Sequence, residues 1–544
     1  MSNPSRPEWP VPVSIAPDIL AEIQAEFARE WLLMTESLQQ GNLAPPADRR
    51  FGSKAWAASP ASLLAAHTYL LSAKAMSQMV DALQVSEPVR NRLRFSTMQW
   101  IEAVAPSNFM ASNPDVQQAL LESEGQSLRK GLDNLFKDLQ KGRLSQTDES
   151  KFELGKNVAT TAGSVVYQNQ VMQLIQYAPV TDKVHKIPLL LVPPSINKYY
   201  ILDLQPENSF VRHAVEQGFT VFLVSWRNPL ASDIDGIDQA TWADYLQHGV
   251  LQAIDAVCSI SRQKQINALG FCVGGTLLAS ALSLAHAQGK DPVCSLTLLT
   301  TLLDFEETGV LDVFVDEYQV QAREHQLGTG GLMSARELAT TFSFLRPNEL
   351  VWNYVVANYL KGESPPAFDL LHWNADGTNL PGPFFAWYFR NTYLENNLKV
   401  PGRVQVDGYQ LDLSTLSMPA YIYSSREDHI VPWHSAYASN NILRGPIRFI
   451  LGASGHIAGV INPPAKKRRC YWAQEASAGH DEMPGNPESW LANADEHAGS
   501  WWPDWCNWLV AHSGSLVRAP AKPGNARYTP IEDAPGSYVK QRAQ

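Results

Sequence analysis

No run of about 18 consecutive apolar residues occurs in the 544-residue chain, so nothing in it is expected to span a membrane. Cysteine is scarce. The five residues (Cys258, Cys272, Cys294, Cys470 and Cys506) are odd in number and show no C-x-x-C spacing, which argues against a disulfide framework and against a zinc site. A reducing cytoplasm fits that usage. Positive charge is also short: 43 Lys and Arg against 54 Asp and Glu give a formal net charge of -11, which speaks against a nucleic-acid binder. The opening MSNPSRPEWPVPVS has neither a basic segment nor an apolar core, so no signal peptide is visible. Internal repeats and low-complexity tracts are absent.

What is there is a chain too long for one ordinary core, with 45% hydrophobic residues, so two or more domains are expected. Sixteen tryptophans crowd toward the C-terminal third and suggest aromatic lining of a site or an amphipathic surface. Residues 1–165 read as helical: the runs 18–34, 62–83 and 115–140 space apolar residues by three and four. The opening prolines (Pro4, Pro7, Pro10, Pro12) read as extended chain. No catalytic constellation falls in this region, which is read as an accessory domain that contacts other chains or surfaces.

From about 166 the texture changes. VVYQNQVMQLIQYAP suggests strands; Ile187 to Val192 and GFTVFLVSW (218–226) read as buried strands, 241–263 as a helix, and VCSLTLLTTLLDF as a further strand. Strands alternating with helices imply a parallel sheet with crossovers. Within this region, Ile266 to Leu269 reads as a strand and Thr276 to Ala287 as a helix, joined by Gly270-Phe271-Cys272-Val273-Gly274-Gly275. This is a G-x-S-x-G nucleophile elbow with cysteine in place of serine. Glycines two before and two after the nucleophile let the chain reverse without Cβ collisions. The following helix points its N-terminus at the sulfur, which favours a thiolate and any nearby oxyanion. An elbow on such a sheet implies an α/β-hydrolase fold, preceded by a helical N-terminal domain. The catalytic domain then spans 166–544. Residues 304–417, rich in aromatics, asparagine and proline, read as a cap over the cysteine that controls entry of substrate and water.

A cysteine needs a base and an orienting acid, in chain order nucleophile, acid, histidine. Asp428 follows a strand at Ala420 to Tyr423, and His456 follows one at Arg448 to Leu451, so with Cys272 all three sit at strand C-terminal ends. His429, His434 and His286 compete for the base, and Glu427 and Asp412 for the acid. The backbone N–H of Val273 is the expected oxyanion donor. The second lies around Ser195 to Asn197, with Ile196 taken as donor, because Pro193 and Pro194 carry no N–H. The run Lys466-Lys467-Arg468-Arg469 is a solvated face or, alternatively, an anchor for a phosphorylated substrate handle.

GFCVGGT, SREDHIVPW, GASGHIAGVINPPAK and GSWWPDW, together with PPSINKYYILDLQPENS, FLVSWRNP, LRPNELVWNYVVANYLKG and APSNFMASNP, resemble the class I polyhydroxyalkanoate synthases. The likeness covers nearly the whole chain and is weakest over the first 60 or so residues. It implies Cys272 as nucleophile, His456 as base and Asp428 as acid. It also implies an (R)-3-hydroxyacyl-CoA substrate, short-chain such as 3-hydroxybutyryl-CoA, and polyester as product. No cofactor or metal is then expected, since CoA is part of the substrate and a released product. The resemblance further implies a homodimer, with Trp373 matching a family tryptophan at the subunit interface. Location would be cytoplasmic, at the surface of polyester granules. The helical domain and the tryptophan-rich C-terminal helix are candidate contacts for polymer or granule-coating proteins. A cysteine thioesterase on the same architecture and a non-catalytic granule scaffold are the rival readings.

Overall fold

Apolar β-branched and leucine-rich runs such as Leu189–Val192 and Val221–Trp226 have no solvated face, and they form the middle of a large sheet. A computed structural model describes residues 14–474 and 485–543; the prolines read as an extended opening lie outside the described residues. The sheet strands, in chain order, are β1 Gly163–Gln168, β2 Met172–Tyr177, β3 Leu189–Val192, β4 Val221–Trp226, β5 Ile266–Phe271, β6 Val293–Leu299, β7 Ala420–Ser425, β8 Ile447–Gly452, β9 Cys470–Ala473, β10 Asp495–Ala498 and β11 Glu532–Asp533. They lie in the spatial order β10-β9-β8-β7-β6-β5-β3-β4-β2-β1-β11. The run from β8 to β4 is parallel throughout. The flanks are antiparallel, so the sheet is mixed where the sequence pattern suggested a parallel one. The flanking strands β9, β10 and β11 are short and partly exposed, which leaves no apolar run to announce them.

The chain divides into two compact units: residues through Asp148 with Thr340–Ala367, and Glu149–Ala339 with Phe368–Gln544. The division differs in two ways from the boundary at 165. It falls earlier, and part of the segment read as cap belongs with the N-terminal helices. Helices Pro17–Gln39 and Pro60–Asp81 occupy two of the expected runs, and Glu87–Ala103 is an additional one. The third expected run is two helices, Pro114–Glu122 and Gln126–Lys141, separated where Glu124 and Gly125 both take positive φ.

The Gln126–Lys141 helix docks the 340–367 segment through its small and polar face. A Cβ on Gly131 would come within 1.9 Å of the Tyr359 carbonyl oxygen. Asn134 donates to the Asn358 carbonyl at 3.0 Å, and the Tyr359 hydroxyl donates to Asp138 at 2.8 Å. Elsewhere in this unit Phe51, Trp56, Ala66, Tyr69 and Ala105 make a small core, beside which Arg50 pairs with Asp48 and Glu102 at 2.8 Å each.

Three of the tryptophans at and within the C-terminal helix, Trp502–Ala511, are not surface features. Trp501, Trp502 and Trp505 are buried in the main core of the sheet unit, and Trp505 donates its indole N–H to Thr297 at 3.1 Å. These three rings are therefore not available as a surface contact, since each of their indole N–H groups has an acceptor inside the fold; Trp508 is half-buried and Val510 exposed on the outer side of the helix. Among the described residues no helix is long and apolar enough to cross a membrane.

Candidate active site

β5 ends at Phe271, and Cys272 takes φ 53° and ψ -128° before the helix Val273–Ala287 begins. Such a conformation is costly for a residue with a side chain and persists only when the surroundings enforce it. Here they do. A Cβ on Gly270 would lie 2.3 Å from the Gly275 Cα, and one on Gly274 would lie 2.3 and 2.4 Å from the carbonyl oxygens of Val192 and Pro193. The second glycine therefore also serves the close approach of the neighbouring strand, while a Cβ on Gly270 would come within 3.0 Å of the Gly274 carbonyl oxygen. The Cys272 N–H donates to Leu299 O at 2.9 Å, and the Thr301 hydroxyl donates to Cys272 O at 3.2 Å. These bonds from β6 and the loop after it fix the turn that holds the thiol.

Asp428 stands three residues beyond β7. Its Oδ1 accepts the N–H groups of Ile430 and Val431 at 2.8 and 2.9 Å. Its Oδ2 faces His456 Nδ1 at 2.6 Å. The Asp428 side chain is fully shielded from solvent and the His456 side chain is 6% exposed. His456 is not in a loop: it is the first residue of a short helix, His456–Val460, after β8. Two tryptophans hold that helix at its far end, with Trp501 donating to Gly459 O at 3.2 Å and Trp502 to Val460 O at 2.9 Å.

Burial is the largest influence on the His456 imidazole and works against its charge. The Asp428 carboxylate, which accepts from His456 Nδ1, and the neighbouring Cys272 sulfur outweigh it and lift the pKa from 6.5 to about 10. An imidazole and a carboxylate in direct contact, and a cysteine whose charge the imidazole senses, are thus brought together from three strand ends.

Four of the competing residues fall away on geometry. His434 pairs with Glu488 at 2.7 Å and His286 with Asp291 at 2.8 Å, both at exposed positions. Glu427 is exposed, and Asp412 caps a short helix by accepting from Ser414 N. Val273 opens its helix, where the first N–H groups have no intrahelical acceptor. The stretch Ser195–Asn197 follows β3, whose end touches Gly274. Ile196 O accepts the Thr378 N–H at 2.9 Å, and Asn197 bridges Gly377. Ser195 is 1% exposed, and its hydroxyl has no hydrogen-bond partner among the described residues.

Residues of the cap segment that no motif singled out also reach the thiol. Tyr388 ends the helix Gly382–Tyr388, which continues as a π-helical turn over Phe389–Leu394. A spacing of five is one π turn, so Tyr388 and Tyr393 share a face. Their rings stand 5.7 Å apart edge to face, and both lie within electrostatic reach of Cys272. Burial drives both phenols well above their ordinary pKa. Trp242 stacks on Phe384, Trp387 and Tyr388, and Phe305 abuts Tyr388 and Tyr393. The aromatic excess of the segment was the available signal; the π turn was not legible.

Trp373 is 5% exposed and donates its indole N–H to Lys198 O at 2.6 Å, so within this chain it is a core residue. In the basic run, Lys466 donates to Asn208 and Arg469 to the Ala458 and Ile461 carbonyls. Two of the four cations are therefore used within the fold, while the run as a whole is exposed.

Residues 47–214 match the family model described as poly-beta-hydroxybutyrate polymerase N-terminus, and residues 188–463 match that of the alpha/beta hydrolase fold. The chain is 54% identical over 539 residues to a poly(3-hydroxyalkanoate) polymerase subunit of Cupriavidus necator, covering 98% of this chain and 90% of that one. It is 40% identical over 505 residues to a poly(3-hydroxyalkanoate) polymerase of Methylorubrum extorquens, covering 92% and 82%. A monoacylglycerol lipase from Paleococcus ferrophilus is a distant structural likeness, with TM-score 0.35, 12% identity, and coverage of 63% of this chain and 99% of that one. By sequence, over nearly its full length, the chain belongs to the poly(3-hydroxyalkanoate) polymerase family and has the α/β hydrolase fold.

Proposed function

We propose that the chain polymerises (R)-3-hydroxyacyl-CoA, short-chain such as 3-hydroxybutyryl-CoA, into polyhydroxyalkanoate with release of CoA, through an acyl-cysteine at Cys272. The observation that carries the reading is the 2.6 Å Asp428–His456 contact beside a cysteine held in an elbow. With its pKa lifted to about 10, His456 holds the proton drawn from the Cys272 thiol as an imidazolium stabilised by Asp428, and the sulfur is left as a thiolate. The thiolate attacks the thioester carbonyl, whose oxygen is received by the Val273 and Ile196 N–H groups. The carbon–sulfur bond to CoA then breaks, and the departing CoA sulfur takes the proton from His456. In the second half the 3-hydroxyl of another acyl unit gives its proton to His456 and attacks the acyl-cysteine carbonyl; the carbon–sulfur bond to Cys272 breaks, the sulfur leaves as a thiolate beside the protonated His456, and the ester chain is longer by one unit. One thioester replaces another in the first half, so loading needs no external energy source and no cofactor.

Water competes with that hydroxyl. The packed aromatics Trp242, Phe305, Tyr388 and Tyr393 near the thiol support a water-excluding site, which favours polymer over free acid. The acyltransferase reading extends to location and assembly: cytoplasmic, at the surface of the polyester granule, as a homodimer. A phosphate anchor at Lys466–Arg469 belongs to the same reading. Incubation with (R)-3-hydroxybutyryl-CoA tests it. CoA release accompanied by precipitating polyester is expected, with Cys272→Ala inactive. CoA release with only soluble 3-hydroxy acid assigns a thioesterase instead, and an active Cys272→Ala variant refutes the acyl-cysteine.

A further inference from the structure

Lys198 directly follows the stretch assigned the second oxyanion donor, and it is a cation only 3% exposed. Burying an ammonium is expensive unless it is paired or hydrogen-bonded. Its Nζ donates to the main-chain carbonyl of Gln541, and that same oxygen accepts Asn228 Nδ2 at 3.1 Å. Asn228, fully buried just beyond β4, uses its own oxygen to accept the Asn379 N–H at 3.0 Å. The Lys198 carbonyl accepts the Trp373 indole, and the Ile196 carbonyl accepts the Thr378 N–H. Four stretches of chain are thereby knotted at the C-terminal ends of β3 and β4: residues 195–198, 226–229, 373–379 and the tail around Gln541.

The tail reaches this knot on its own anchors. The Tyr538 hydroxyl donates to Asn169 O at 2.7 Å, and its N–H donates to Gln173 Oε1 at 3.1 Å. The Tyr199 hydroxyl donates to Pro535 O at 3.3 Å. Because the acceptor for Lys198 is a main-chain carbonyl, what matters is that the tail is present, whatever its side chain.

We propose that Lys198 and the carbonyl of Gln541 form a clasp that positions the Ser195–Lys198 loop, which makes the tail segment around Gln541 a working part of the acyl-transfer site. Lys198 is a positioning residue in this scheme and touches no reacting atom. The inference depends on the reading that this loop supplies an oxyanion donor.

The test compares Lys198→Met, Lys198→Arg, a chain ending at Lys540 and the Lys198→Met version of that shortened chain, in the full-length background otherwise. CoA release from (R)-3-hydroxybutyryl-CoA gives kcat and KM, and iodoacetamide gives the alkylation rate of Cys272. Lys198→Met and the shortened chain are each expected to lose about 100-fold in kcat, the scale of a lost oxyanion donor, with KM within about three-fold. Alkylation stays at the wild-type rate because the elbow and His456 are untouched. Lys198→Arg, which keeps a donor, recovers most of the loss, and the double change is no worse than either single one. Kcat near wild type in Lys198→Met or in the shortened chain overturns the clasp, as do losses that multiply in the double change. A parallel fall of alkylation and kcat overturns it too, since the thiol site itself would have collapsed. Wild-type protein that releases no CoA refutes the functional reading and the clasp together; active wild type beside unimpaired variants refutes the clasp alone.

Discussion

Replacing Asp428 by asparagine preserves shape and removes a charge, and the local geometry dictates which way the new amide points. Oδ1 already accepts two backbone N–H groups, from Ile430 and Val431, so the asparagine oxygen stays there. Its NH2 group must then occupy the Oδ2 position, 2.6 Å from His456 Nδ1 in the native protein. A donor facing Nδ1 requires that nitrogen to accept. The neutral ring then carries its proton on Nε2 and can no longer take one from Cys272.

The charge that is lost is also large. Opposite unit charges 2.6 Å apart at an effective dielectric of about 20 attract by about 6 kcal/mol, before the burial cost that works against the imidazolium is deducted. A fall of about 10⁴-fold in CoA release, or about 5.5 kcal/mol in barrier, is the expected scale. The same pair sets a pH signature. The His456 pKa is raised in the fold, from 6.5 to about 10, so its contribution to stability is full below pH 6.5 and is lost as pH rises through about 10. Thermal unfolding midpoints of the wild type and Asp428→Asn should therefore lie furthest apart near pH 6 and converge above pH 10. A variant within about ten-fold of wild-type activity, or a gap that widens with rising pH, refutes the reasoning.

Three further changes probe the scaffold around the thiol. Gly274→Ala puts a Cβ 2.3 Å from Val192 O and 2.4 Å from Pro193 O, both rigid backbone, and should cost at least about 1–3 kcal/mol in the urea midpoint along with most CoA release. Trp501→Phe keeps the ring against Tyr423, 4.3 Å away, but drops the hydrogen bond to Gly459 O. Stability should fall by about 1 kcal/mol and CoA release by several-fold, as the His456 helix loosens. Trp505→Ala empties a fully buried site and orphans the Thr297 partner, for an expected loss of about 3–5 kcal/mol read by denaturant unfolding.

The centre of the sheet was legible because β3, β4 and β5 are short apolar runs bounded by turns, and the elbow was legible because its glycines are sterically required. Asp428 and His456 could be found for a related reason: chain order and strand ends confine the choice. The helix Glu87–Ala103 was missed because it buries no residue fully and so shows no clear apolar stripe. For Trp501, Trp502 and Trp505 neither a site lining nor an amphipathic surface describes their buried place, because composition counts rings without saying which way they face. The helix that His456 opens is not legible, because five residues are too few to impose a period. The partition of residues 340–367 was beyond any local signal: it depends on Gly131 and Asn134 meeting Tyr359 and Asn358 more than two hundred positions later in the chain.

That partition has a bearing on how the polypeptide can be made and cut. The amino-terminal helices emerge from the ribosome about 190 residues before the piece that completes their surface, a wait of roughly 10–40 s at ordinary elongation rates. Gly131 and Asn134 stay uncovered meanwhile, and a fragment ending at residue 148 never acquires their cover. Removing the first 148 residues likewise takes away the Gln126–Lys141 helix on which Tyr359 docks. Neither piece is a self-sufficient module, and dissection of this chain calls for point changes or for expressing both stretches together.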